Sequence, residues 1–143
     1  MKGPLAPGVL LLRLMVSTLL FIHGAARVQN GVDGFGVWLE GEGVPMGLVV
    51  AWLVTGMELV GTPLLALGRF VRPLCVWFTG VLVAGIVMVH YPEGWFVVGA
   101  GRNGMEYSVL LITCLTSLSM AHGGASSPAP AGKDKKEKKD KKK

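Results

Sequence analysis

Charged side chains almost vanish between Val9 and His122, and no other feature constrains this chain as strongly. Only eleven Asp, Glu and Arg residues fall in that stretch, too few to cover the surface of a water-soluble globule. Of the whole chain, 51% is apolar and 16% charged, a balance foreign to soluble domains. Its 143 residues leave room for one compact domain. This composition calls for a small multi-pass membrane protein and argues against a soluble enzyme.

The basic pI has a local origin. Eight of the 14 Lys and Arg residues lie in the final KDKKEKKDKKK, so this tail carries the whole net charge of +5 and the residues before it are neutral. A nucleic-acid-binding body needs basic residues spread over a folded face, and none is expected. Cys75 and Cys114 stand 39 residues apart, with no CxxC and no ligand cluster beside them. They read as free thiols, and no metal site is expected.

A helix needs ~20 apolar residues to cross ~30 Å of hydrocarbon. Four segments qualify, at about residues 9–26, 45–67, 73–89 and 105–121. Pro45 opens the second, where a missing N–H costs nothing, and Pro63 is expected to kink or loosen its last turn. The fourth is short and rich in Thr and Ser. The first follows a charged start, as the core of a signal peptide does. Arg13 interrupts it, however, and HGAARVQ offers no convincing cleavage site, so it reads as a retained span. The expected fold class is all-α: an integral membrane four-helix bundle over residues 1–124, followed at 125–143 by a disordered linker and Lys-rich tail.

Cytoplasmic loops are enriched in Lys and Arg. Lys2, Arg69, Arg72 and the eight tail lysines fall on one side, against Arg27 and Arg102 on the other, which puts both termini in the cytoplasm. In the outer loop 27–44, Phe35 and Trp38 stand three apart, as on a short helix lying in the membrane interface. The tail lysines are expected to be drawn to anionic lipid, partly offset by Asp134, Glu137 and Asp140.

An ionisable side chain in hydrocarbon costs at least ~2.5 to 3.5 kcal/mol, so it should face the bundle interior and have a partner. Arg13, His23, Glu58 and Glu106 are therefore the informative residues. At ~100° per residue, Arg13, Ser17, Leu20, His23, Gly24 and Arg27 share one face of the first span. Gly47, Ala51, Thr55, Glu58, Gly61 and Thr62 share one face of the second. Gly80, Ala84 and Tyr91 align on the third, and Glu106, Thr113 and Ser117 on the fourth. Together these faces predict a bundle around a partly polar interior. Counting ~1.5 Å per residue from the cytoplasmic ends leaves roughly 7 Å of depth between Arg13 and Glu58, which predicts that they pair. His23, Arg27, His90 and Glu106 form a second cluster near the outer surface. Three readings of such groups stand open: ion pairs that fix helix register, a buried carboxylate that exchanges protons with a bound redox carrier such as a quinone, or a haem held by His23 and His90. For the last, only their similar depth speaks.

The segments LLRLMVSTLLFIHGAARV, GVP, MELVGTPLLALGRFVRP and HYPEGWFVVGAGRNGMEYSVLLI give the chain, over about residues 10–124, a likeness to a known family. It resembles the DoxX family of small four-helix bacterial inner-membrane proteins. That family often has two adjacent glycines after the second-span glutamate, where Val60 and Gly61 stand here. By this resemblance Arg13, His23, Glu58, Glu106 and Tyr107 occupy recurrent polar positions and form the candidate intramembrane cluster. If a quinone binds as cofactor, Glu106 with His23 and Tyr107 supplies a carboxylate, an imidazole and a phenol near the outer surface.

Family likeness implies a bacterial inner-membrane location. It further implies a membrane subunit or docking partner of a redox complex, either quinone-linked or tied to oxidative-stress proteins, since related members are subunits of a thiosulfate:quinone oxidoreductase. Any redox activity would belong to this chain only as part of such a complex, because thiosulfate chemistry needs a soluble module or partner. The alternative is a non-catalytic membrane scaffold or assembly factor, similar to the family's eukaryotic relatives.

Overall fold

A computed structural model describes residues 6–98 and 102–123, and every regular element among them is helical. The predicted linker and Lys-rich tail at 125–143 lie outside the described residues. Helix α1 is Ala6–Asn30, α2 Val32–Gly41, α3 Gly47–Ala66, α4 Val71–Gly85 and α5 Glu106–Ala121, and a π-helical turn at Ile86–His90 prolongs α4. Three helices are long and apolar enough to cross a membrane: α1 with 25 residues, α3 with 20, and α4 with its π-helical turn, also 20. The 16 residues of α5 make a rod of only ~24 Å, shorter than the ~30 Å hydrocarbon layer.

Two boundaries differ from the sequence expectation for physical reasons. The apolar run of the first span ends near Ala26, but RVQN continues the helix one further turn until Gly31, whose φ of 98° breaks it. Pro63 was expected to loosen α3, yet the helix runs unbroken through it to Ala66. Below it, Thr62 donates its hydroxyl to the Glu58 carbonyl at 2.5 Å.

α1 packs on α3 and α5, and α4 packs on the same two, so these four helices close a ring. Its centre is apolar: Val16 and Leu20 of α1, Leu65 of α3, Leu74 and Phe78 of α4, and Leu111, Leu115 and Leu118 of α5. Lipid tails are as apolar as these side chains, so what holds the helices is close packing rather than escape from water. The polar-interior expectation is right for α3, where Gly47, Ala51, Thr55, Glu58, Gly61 and Thr62 are all buried. It fails for the last two spans. Gly80 and Ala84 on α4 and Tyr91 just past the π-helical turn are exposed, as are Thr113 and Ser117 on α5. Each of the two α5 hydroxyls donates to the carbonyl four residues back, Thr113 to Val109 and Ser117 to Thr113. A hydroxyl satisfied by its own helix can face hydrocarbon cheaply, which leaves the inward face of α5 to leucines.

The connection between α1 and α3 contains the expected short helix, and α2 folds back onto α3. Val32, Gly36 and Leu39 form its buried stripe, while Val37 and Trp38 stay exposed. Contact is backbone to backbone: a Cβ on Gly36 would stand 2.7 Å from the Leu48 Cα, and one on Gly47 would collide with the Gly36 carbonyl oxygen. The close approach requires glycine at both positions.

Candidate functional site

The register between α1 and α3 decides which charges meet. Gly24 sits against Glu58, since a Cβ on Gly24 would lie 2.8 Å from the Glu58 Cβ. Gly68, just past α3, sits against Arg13, whose Nη1 would stand 2.6 Å from a Cβ there. The two helices therefore run antiparallel. Gly24 and Arg13 are eleven residues apart on α1, so Arg13 lies ~16 Å along the helix from the level of Glu58, not the 7 Å that the sequence count predicted.

The Arg13–Glu58 pair is thus overturned, and Arg27 is the partner. Its Nη1 donates to Glu58 Oε2 at 2.5 Å, with a longer contact from Nη2 to Oε1 at 3.5 Å. The Glu58 side chain is 5% exposed and that of Arg27 19%. Thr55 hands its own proton to the Ala51 carbonyl at 2.7 Å and receives an Arg27 donor at 3.4 Å. Above the guanidinium lies the Phe35 ring, 4.6 Å from Cζ to centroid, and Phe35 stacks in turn on Trp38 at 5.8 Å. The carboxylate is closed in by a charge-assisted bond, and the cation is covered by an aromatic face.

His23 is exposed one turn before Arg27, with its ring stacked on Tyr107 of α5 at 6.4 Å and an interplanar angle of 14°. Its Nδ1 lies 3.1 Å from the Leu19 carbonyl oxygen, so Nδ1 carries the donated proton and, in the neutral imidazole, Nε2 is the acceptor. An open groove of about 550 Å³ runs beside it between α1 and α2, lined among others by Ile22, His23, Arg27, Asn30 and Phe35.

Glu106 and His90, both predicted for the outer cluster, are turned elsewhere. Glu106 Oε1 accepts the Val97 N–H at 2.9 Å, and His90 Nδ1 donates to the Asn103 carbonyl at 2.7 Å. Both side chains tie down the loop between the π-helical turn and α5. Backbone bonds close that loop, from Met105 N–H to Gly94 and from Glu106 N–H to Trp95. At the opposite end of the ring, Arg13 Nη1 donates to His122 Nε2 at 3.2 Å. Of the five predicted positions, His23 and Tyr107 meet, Glu58 lies on the same α1 level through Gly24 and Arg27, and Arg13 belongs to the far end. The sequence reading sets Arg27 on the same helical face as His23 and Gly24 and in the outer cluster, but does not give it to Glu58 as a partner.

Apolar helices of membrane-crossing length, closing on buried charge at one end, define a helical membrane protein. It belongs to the DoxX family, whose model matches residues 8–91. Among curated relatives, the Bacillus subtilis (strain 168) protein named "Putative oxidoreductase CatD" is 28% identical over 118 residues, 82% of this chain and 80% of that protein. The Escherichia coli (strain K12) "Inner membrane protein YphA" is 30% identical over 89 residues, 62% of this chain and 64% of its own length. No solved structure matches.

Proposed function

We propose that this protein is a membrane subunit of a quinone-linked redox complex in a bacterial inner membrane, with both termini cytoplasmic, and that the groove beside His23 receives the quinone headgroup. The observation that carries this reading is His23 in the wall of the groove, its ring stacked on Tyr107 and its Nε2 without a hydrogen-bond partner among the described residues. A quinone supplies two-electron, two-proton chemistry and is soluble in the bilayer. The groove fits such a group in chemistry and in size, since it is largely apolar with a few polar donors and acceptors, and ligand sites commonly occupy ~300 to 1,000 Å³.

Within this reading, His23 Nε2 would accept a hydrogen bond from a quinol hydroxyl and take one of its two protons, the other leaving to water through the open side of the groove, and Tyr107 would hold the imidazole in place by stacking on it. Glu58 and Arg27 neutralise each other and hold the wall of the groove in place. The likeness to a protein named as an oxidoreductase supports the assignment. Electrons would pass to a partner protein, and the Lys-rich tail would hold the chain to anionic lipid.

The rival reading, a non-catalytic membrane scaffold, is favoured by one observation: Glu106, the carboxylate nearest the outer end of α5, is occupied in closing a loop. Quinone binding separates the two. The purified full chain should take up one equivalent of a short-chain ubiquinone or menaquinone, and His23→Ala or Tyr107→Ala should weaken binding about tenfold. Unchanged binding in both variants, or none in the wild type, would leave the scaffold.

A further inference from the structure

The end of the ring away from the His23 groove gathers positive charge that the described residues do not neutralise. α3 closes there in a Schellman turn, with Gly68 at φ 75°, its N–H on the Leu65 carbonyl at 2.9 Å and the Arg69 N–H on Leu64 at 2.8 Å. The absent Gly68 side chain makes room for the Arg13 guanidinium. Arg13 Nη1 donates to His122 Nε2, and His122 Nδ1 donates to the Leu118 carbonyl at 2.9 Å. Arginine has only donors, so this geometry needs a neutral His122. On the next residue, Gly123, rests the guanidinium of Arg72: a Cβ there would collide with its Nη2. Arg69, the residue after Gly68, is exposed.

Two guanidiniums thus meet at the end of α5, and among the described residues the ion pair lies at Arg27–Glu58 and none lies here. The Nε of Arg13 is sealed from solvent and has no partner among the described residues. α4 begins here at Val71 with no acidic residue in its first turn and no side-chain cap, while α3 and α5 end here, so the positive charge of this end comes from the arginine side chains rather than from a helix dipole. Around this charge the surface is apolar, with Leu10, Leu11 and Leu14 exposed on α1 and Leu67 and Phe70 on the turn into α4.

Paired arginines beneath an apolar collar match a group that is anionic at one end and hydrocarbon at the other. We infer that this end of the ring is a binding site for the phosphodiester headgroup of an anionic phospholipid, held by Arg13 and Arg72 with Arg69 at the rim. The acyl chains lie along the leucine flank of α1. Free phosphate would use the arginines but leave that flank idle. The site is independent of the quinone groove and separate from the tail lysines, whose attraction is diffuse.

The test is thermal unfolding of the full chain, delipidated in a nonionic detergent and titrated with phosphatidylglycerol, phosphatidylcholine or inorganic phosphate. Phosphatidylglycerol should raise the midpoint saturably, while phosphatidylcholine and phosphate at equal concentration should not. Arg72→Gln should raise the half-saturating phosphatidylglycerol concentration about tenfold, and Arg13→Gln should do likewise if it folds. Replacing all eight tail lysines with Gln should leave the titration unchanged. A wild-type titration in Arg72→Gln would overturn the site, as would a response lost with the tail lysines alone. An equal response to phosphatidylcholine or to inorganic phosphate would overturn the lipid headgroup as its ligand.

Discussion

Glu58 shows how far one residue depends on its neighbours. A carboxylate 4% exposed in a membrane protein is tolerable because Arg27 reaches it across the gap that Gly24 leaves open. Breaking a buried pair by removing one partner typically costs ~3 to 5 kcal/mol, whereas removing both costs far less. Arg27→Met and Glu58→Gln should therefore each destabilise the protein strongly, and the double variant by clearly less than their sum. Equilibrium unfolding in mild detergent reads this as a coupling energy of ~2 kcal/mol or more. The same cycle for Arg13→Met with Glu58→Gln should come out additive. Gly24→Ala tests the gap itself, since its methyl group must push α1 and α3 apart and should cost ~1 to 3 kcal/mol. That Glu58 needed a partner could be read from the chain, because charge in hydrocarbon is costly. Which arginine answers could not, because the choice follows from how two helices slide along one another.

Among the helices, α5 is the one that does not stand alone. It is too short to cross the hydrocarbon by itself, and the described residues of the loop before it are tied to its first turn. Glu106 binds the Val97 N–H, and the backbone of Met105 and Glu106 binds Gly94 and Trp95. This tie depends on an acceptor oxygen rather than on charge, so Glu106→Gln should preserve it and Glu106→Ala should release it. Hydrogen exchange at the Val97 amide should speed up about tenfold in Glu106→Ala and little in Glu106→Gln. Protection unchanged in Glu106→Ala would mean that the backbone bonds hold the loop alone. The short helix at Val32–Gly41 was visible in the spacing of Phe35 and Trp38. Its docking on α3 was not, since it rests on Gly36, which in sequence resembles the other glycines of that loop, meeting Gly47 at the start of α3.

For the molecule in its bilayer, the distribution of Lys and Arg makes the strongest prediction. Reporter fusions after Gly34 and after Gly101 should read as external, and one after Lys143 as internal. An external C-terminus would reverse the orientation. Deleting residues 133–143 should leave insertion and thermal stability unchanged, because the ring of α1, α3, α4 and α5 closes without them. Membrane fractionation and unfolding of the truncated chain check this directly.

Helical character, the positions of the apolar segments and the buried face of α3 follow from composition and a 3.6-residue period, because hydrocarbon admits few other backbones. The inward faces of α4 and α5 did not follow. In water, polarity separates inside from outside. In lipid, a hydroxyl bonded to its own helix is as acceptable outside as a leucine is inside, so polarity stops marking the core. Charge pairing was equally beyond the chain's pattern. Arg13 and Arg27 lie on one face of one helix, and only the contacts of Gly24 with Glu58 and of Arg13 with Gly68 set which of them meets the carboxylate and which is left at the far end with His122.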